Sequence, residues 1–204
     1  MIEVEKRIVE AVELLKNFLQ QLLKSKDSHQ NKMAGLLAYW IKDYIRLMSK
    51  ERSTTKYRRY KRGEVVKVHL GFRIGSEQGG LHYAVVVTTN DSVKSPVVTV
   101  VPLTSLKTAD EVTHLPFGSV FLGAQLLSKL QEKARGKDDI LLAKEIKRLK
   151  WGSVALTNQI VTISKLRIYD PVNSNSPLSG VRLDSEALDQ IDAILKQILF
   201  KITT

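Results

Sequence analysis

Three places in the chain carry residue types able to do chemistry. The first is Gly71-Phe72-Arg73-Ile74-Gly75-Ser76-Glu77-Gln78-Gly79-Gly80, a glycine-rich polar loop longer than the two to five residues of a tight hairpin. Its four glycines let a ligand backbone approach closely, and Ser76, Glu77 and Gln78 offer hydrogen-bond donors and acceptors. A phosphate cradle of the nucleotide-hydrolase type needs Gly-Lys-Ser/Thr ahead of a helix. Here the loop runs instead into the β-branched segment Tyr83 to Thr88, which argues against a nucleotide cradle. The second place is His82, directly after the loop. A side chain with a free pKa near 6.5 takes and returns a proton at neutral pH, as phosphodiester transesterification requires. The third is Val101-Pro102-Leu103-Thr104-Ser105, an apolar run ending in two hydroxyls. A hydroxyl there can donate to a phosphate oxygen as negative charge builds, although Thr-Ser after a strand is also ordinary turn chemistry.

The other histidines read differently. His29 sits in a polar turn, His69 alternates with Lys67 on one strand face and His114 lies in an edge-like segment; no pair has metal-ligand spacing. With no cysteine in 204 residues there is no disulfide, thiolate nucleophile or cysteine-containing zinc site, so neither a metal nor a cofactor is expected. Thirty-two Lys and Arg against 21 Asp and Glu leave a net charge of +11, which favours an anionic partner, nucleic acid first. From Arg46 to Arg62 eight basic residues face the single acid Glu51, with Tyr57 and Tyr60 interleaved. Such a stretch suits single-stranded nucleic acid, with guanidinium on phosphate and ring on base, or else is a solvated linker. The longest apolar run, Ala34 to Ile41, is far short of the roughly 20 residues of a membrane span. The mixed charges of Glu3, Glu5, Lys6 and Arg7 do not make a signal peptide. A cytoplasmic location without membrane contact is expected.

The elements that must position these groups follow from periodicity. Ile8, Val12, Leu15, Leu19 and Leu22 step by 4, 3, 4, 3, as do Met33, Leu37, Trp40, Tyr44 and Leu47, which predicts two helices joined by a turn over Lys24 to Asn31. The hairpin either packs within the chain or serves dimerisation. After Gly63 short β-branched runs at 65–70, 83–88, 97–101, 112–120, 154–156 and 160–163, broken by Gly, Pro, Asn and Asp, predict a small sheet or barrel. Leu122, Leu126 and Leu130 keep a helical step until Gly136, and Ile140 to Leu149 resumes it, so a helical insert spans about 122–150. A last helix follows Asp184, a good N-cap. The fold class expected is α+β, with a helical hairpin and basic linker over 1–60 and a barrel domain with its insert over 61–204.

Taken together, Arg62-Gly63-Glu64-Val65-Val66, the loop Gly75 to Gly80, Ala84-Val85-Val86-Val87, Pro102-Leu103-Thr104-Ser105 and Gln159-Ile160-Val161-Thr162-Ile163 resemble the MazF/PemK toxin family, in the family's order. Leu183-Asp184-Ser185-Glu186 at the last helix is similar too. The resemblance covers about residues 60–121 and 151–200. It implies an SH3-like β-barrel and a homodimer. It also implies a toxin of a type II toxin-antitoxin system that cuts single-stranded RNA at short sequences without a metal and binds an antitoxin protein. By resemblance Thr104 matches the catalytic threonine, while His82 stands where the family has arginine followed by proline. Asn158 replaces an acidic residue and cannot act as a base. Arg73, Ser76, Glu77, Gln78, Ser105, Asn158 and Gln159 become the substrate contacts. Histidine in place of arginine either supplies proton transfer or leaves a site that binds RNA and cuts slowly, since it lacks the bidentate grip on phosphate.

A non-catalytic RNA- or DNA-binding module on the same barrel is the alternative. A third reading makes residues 1–50 an element that docks a partner, holds an antitoxin or dimerises. The charge has a definite distribution. Residues 1–62 carry 15 basic and 7 acidic residues, net +8, the insert carries 8 and 4, net +4, and the remainder is net −1. The excess belongs to the additions, where it is expected to guide RNA.

Overall fold

In the computed structural model, residues 2–108, 110–136, 138–149 and 152–200 are described. The chain forms two compact units, residues 1–53 and 54–204. The first is a helical hairpin of α1 (Ile2–Lys24) and α2 (Ser28–Glu51). The turn is shorter than the polar stretch suggests, because the Asp27 side chain accepts from the His29 N–H at 2.8 Å and starts α2 at once. Of the two apolar stripes, Leu22 and Leu47 are buried, whereas Ile8 and Val12 remain more than half exposed.

The second unit carries seven strands: β1 (Val65–His69), β2 (Leu81–Val86), β3 (Val97–Leu106), β4 (Ser119–Phe121), β5 (Gly152–Leu156), β6 (Val161–Ser164) and β7 (Ile168–Asp170). All pairings are antiparallel, in the order β4-β5-β3-β2-β1-β7 with β6 also on β3. The ten-residue β3 is the hub. One edge pairs β2, and the other pairs β6 through Val97–Val100 and β5 through Leu103–Leu106. The α+β class holds, but the sheet is open: among the described residues the end strands β4 and β7 do not pair, so the expected SH3-like barrel is not closed. Each end strand has three residues, too few to zip a ladder shut. Two further segments depart from periodicity. The polar stretch Asp110–His114 is a single 3-10 turn rather than a strand, and β7 goes unsignalled because Ile168 alone is apolar in its type.

Alternation splits the sheet into two apolar faces. Val65, Val85, Val101, Leu103 and Ala155 share one core with the insert helices α3 (Gln125–Ala134) and α4 (Ile140–Arg148) and with α5 (Ser185–Leu199), through Leu126, Leu130, Leu142 and Ile191. Val66, Val68, Ala84, Val86, Val100 and Ile163 make the other core with Tyr60. Gly136, at φ +73°, separates α3 from α4. Lys150, the expected end of the insert, lies outside the described residues.

Arg62-Gly63-Glu64 is a structural clamp. Gly63 has φ +82°, and a Cβ there would meet Leu188 of α5 at 2.9 Å, so only glycine fits. Arg62 pairs with Asp192 at 2.5 Å and Arg58 with Glu64 at 2.5 Å, while Asp91 accepts from the Tyr60 N–H at 2.8 Å. Two of the basic side chains expected to guide RNA, Arg58 and Arg62, are thus about three-quarters buried in ion pairs. Their reading as a free phosphate-binding surface is corrected; Lys56 and Arg59 of the same stretch are exposed.

Candidate functional site

His82 and Thr104 come together at the end of the sheet. The β2–β3 register pairs Tyr83 with Leu103, and one step further it sets His82 opposite Thr104. Both alternate onto the face of Val68 and Ala84, away from Tyr83 and Ser105. The His82 imidazole is partly buried. Desolvation lowers its pKa below 6.5, against smaller opposing effects of hydrogen bonds to the Leu103 and Gly79 backbone. The neutral ring, with one lone pair, is thereby favoured. That lone pair faces the loop: the Gln78 amide nitrogen lies 2.7 Å from Nε2 and 3.2 Å from Nδ1.

The loop over Gly71–Gly80 is closed at its base and latched at its tip. At the base, the Leu70 N–H donates to Gly80 O at 2.7 Å and the Gly80 N–H to Gly71 O at 2.8 Å. His69 Nδ1 accepts from the Gly71 N–H at 3.0 Å. Gly75 and Gly80 have positive φ, a conformation that side chains resist. At the tip, Gln159 accepts from the Gln78 N–H at 3.2 Å and donates to Ser76 O at 3.3 Å. Gln159 reaches the loop because β5 ends in a 3-10 turn, Thr157–Gln159, anchored by Thr157 on Gly118 O.

Not every expected site residue stands at this centre. Gln78, Gln159, His82 and Thr104 form it. Arg73 is spent bracing the loop, donating to Leu70 O at 3.0 Å and standing 3.8 Å from Glu77. Ser76 contributes its carbonyl rather than its hydroxyl to the latch, and Glu77 points to solvent. Ser105 turns to the opposite face. Asn158 is exposed over Gly118. Among the described residues no group of His, Asp and Glu converges as a metal site.

The opposite face holds a polar cluster that sequence reasoning missed. Glu145 of α4 accepts from Lys67 at 2.7 and 2.9 Å, from Arg148 at 2.8 Å and from the Tyr83 hydroxyl. Burial alone pushes the Glu145 carboxyl up, but the Lys67 and Tyr83 hydrogen bonds and the charges of Lys67 and Arg148 outweigh it and hold it low. Burial also raises the Tyr83 hydroxyl well above 10, helped by Glu145. The available signal was the i,i+3 pair Glu145 and Arg148 on a helix otherwise read as a basic insert.

A family model described as PemK-like, MazF-like toxin of type II toxin-antitoxin system matches residues 61–199. The chain belongs to that family. The match spans the sheet, the loop, the insert and α5. A crystal structure of MazF (Form-I) from Deinococcus radiodurans is similar over 70% of this chain and 97% of that one, at 17% identity and a TM-score of 0.41. No curated protein matches the chain. Within the family match, Arg62-Gly63-Glu64 serves the fold, while the loop, His82 and Thr104 form the polar centre. Among the described residues no helix is long and apolar enough to cross a membrane.

Proposed function

We propose that this toxin is an endoribonuclease that cuts single-stranded RNA at short sequences by transesterification, with His82 as proton carrier and Thr104 as transition-state donor. The observation that supports it best is a partly buried His82, its neutral ring favoured, beside Thr104 under a hydrogen-bonded polar loop. His82 takes the ribose 2′-hydroxyl proton, the 2′-oxygen attacks phosphorus, and the bond to the 5′-oxygen breaks. The proton returns to that 5′-oxygen. The products are a 2′,3′-cyclic phosphate and a 5′-hydroxyl. Thr104 donates to a phosphate oxygen as charge builds there. Gln78 moves off His82 to let the ribose in, and the rest of the loop, with Gln159, Asn158 and Ser105, contacts the strand.

In this reading the chain acts in the cytoplasm as a homodimer held in check by an antitoxin, and the hairpin over 1–60 is an added element on the 61–204 domain. The test is single-stranded RNA incubated with the full chain in EDTA. Cyclic-phosphate ends are expected, with His82→Ala slower by about 10²–10⁴-fold. Intact RNA, or equal cutting by His82→Ala, refutes the mechanism. One observation favours a second reading: the Gln78 amide already occupies the His82 ring edge. A site held shut in this way would bind RNA or DNA with strong salt dependence and no turnover.

A further inference from the structure

Arg148 of the helical insert walls a cleft of about 340 Å³ that borders His82 and Thr104 and is otherwise lined by Lys67, Leu81, Tyr83, Leu103 and Ser105. By strand alternation Lys67, Tyr83 and Ser105 turn to the sheet face away from the His82 and Thr104 side chains. The cleft wall is fixed by Glu145, which grips Lys67 and the Tyr83 hydroxyl and so pins α4 to the sheet. Arg148 is placed differently. Its side chain is 56% exposed, and Nη1 reaches Glu145 at 2.8 Å. A guanidinium has five N–H donors in a fixed fork, so the contacts to Glu145 and the Tyr83 hydroxyl orient the group and leave donors for a ligand in the cleft.

The other lining groups complete a recognisable chemistry. Ser105 brings an exposed hydroxyl, Leu81 is 46% exposed, and the Tyr83 ring lies beneath the Lys67 ammonium at 5.7 Å. The exposed Arg148 guanidinium and a hydroxyl beside an apolar floor, with Lys67 held by Glu145, fit a phosphate joined to a base, the elements of single-stranded nucleic acid binding. Thr104 and Ser105 are consecutive, so β3 offers one hydroxyl to each face at the same point. There β2 begins at Leu81, and beyond it the β3 edge is uncovered by β2.

We propose that this cleft holds a nucleotide flanking the one at His82 and Thr104 on the same RNA strand, with Arg148 binding its phosphate; this rests on the ribonuclease reading above. The insert then acts as a substrate arm, and its net positive charge sits where the strand leaves the reacting centre. Lys144 and Lys147, exposed on the same helix, extend the path.

The test measures binding of a fluorescein-labelled single-stranded RNA by anisotropy over a salt series, in the full-length His82→Ala chain with and without Arg148→Ala. Arg148→Ala should weaken binding roughly two- to fivefold, the range of one exposed ion pair. It should also flatten the salt slope by about 0.7, the value of one phosphate contact on a single strand. Arg148→Lys should restore the slope. Glu145 keeps Lys67 and Tyr83 in both variants, so an unchanged melting temperature accompanies the expected result. In the otherwise native chain, Arg148→Ala should raise KM and spare kcat. Unchanged affinity and slope overturn the inference while leaving cleavage intact. So does a weakened grip on an acidic peptide with RNA binding untouched, which would make the cleft a protein-docking site. RNA neither bound nor cut by the native chain refutes the functional reading itself.

Discussion

Gln159 should govern the order of the loop above His82, and the size of its effect can be worked from the contacts. Gln159→Ala removes the acceptor of the Gln78 N–H, at 3.2 Å, and the donor to Ser76 O, at 3.3 Å. A neutral intramolecular hydrogen bond contributes about 0.5–1.5 kcal/mol net, and both distances sit at the long end of the usual range. The pair therefore holds the tip by about 1–2 kcal/mol, or roughly 5- to 30-fold in the closed-to-open ratio. The base of the loop does not depend on Gln159, since the Leu70 and Gly80 amides bond backbone carbonyls of the loop itself. Amide hydrogen exchange followed by NMR reads both at once. The Gln78 amide should lose protection by that factor while Leu70 and Gly80 keep theirs, and the melting temperature should fall by no more than about 2–8 °C. Gln159→Glu should fall between, because it keeps an acceptor for Gln78 but sets an oxygen against Ser76 O. Less than a twofold change at Gln78, or an equal loss at Gly80, refutes the idea of a separately latched tip.

Two further outcomes follow from buried groups. Because desolvation lowers the His82 pKa and the proposed mechanism uses the neutral ring as base, cleavage should fall as pH drops through a value below 6.5 and stay level above it. A profile without that acid limb, measured as kcat/KM against pH, removes His82 from proton transfer. Asp91 and Lys165 pair at 2.6 Å with side chains 1% and 2% exposed, so Asp91→Ala leaves a buried ammonium without its counter-ion and should cost about 3–5 kcal/mol. The double variant Asp91→Asn with Lys165→Met should cost less than Asp91→Ala alone in urea unfolding, and equal costs would show that the charge is not what matters.

Periodicity made the elements legible where one physical rule dominated. The hairpin helices, α5 with its Asp184 cap, and the central strands β1 to β3 all follow from a single apolar stripe or alternation. The rule failed where tertiary pairing decided. Polar Ser105 lies inside β3 because β5 extends the ladder to Leu106, and β7 exists only because β1 offers it an edge. At the site, residue type singled out His82, Thr104, Gln78 and Gln159, and the fold brings these four together. The directions of the Arg73 and Ser105 side chains were not legible, because spacing in a loop or at a strand end does not say which way a side chain turns. Beyond the i,i+3 pair Glu145 and Arg148, the cluster with Lys67 and Tyr83 was not legible, since its members come from β1, β2 and α4 and meet only once the insert folds back on the sheet.

The charge excess looks different once partners are known. A lysine or arginine adds to long-range attraction for a polyanion only so far as its field is not cancelled nearby. Arg58, Arg62, Lys165 and Lys67 are each closed by a carboxylate within 2.7 Å, so four formal positive charges serve the fold. Lys144 and Lys147 are different. They stand exposed on α4 with Arg148, whose carboxylate is shared with Lys67 and Tyr83. On the ribonuclease reading proposed above, the surface of the second unit left to steer RNA is therefore the insert more than the basic stretch preceding the sheet. Reversing Lys144 and Lys147 to glutamate should slow RNA association steeply at low salt and little at high salt, whereas reversing Arg58 or Arg62 should first destabilise the domain. Stopped-flow association rates beside melting temperatures distinguish the two, and an unchanged on-rate for the insert variant at low salt refutes the argument.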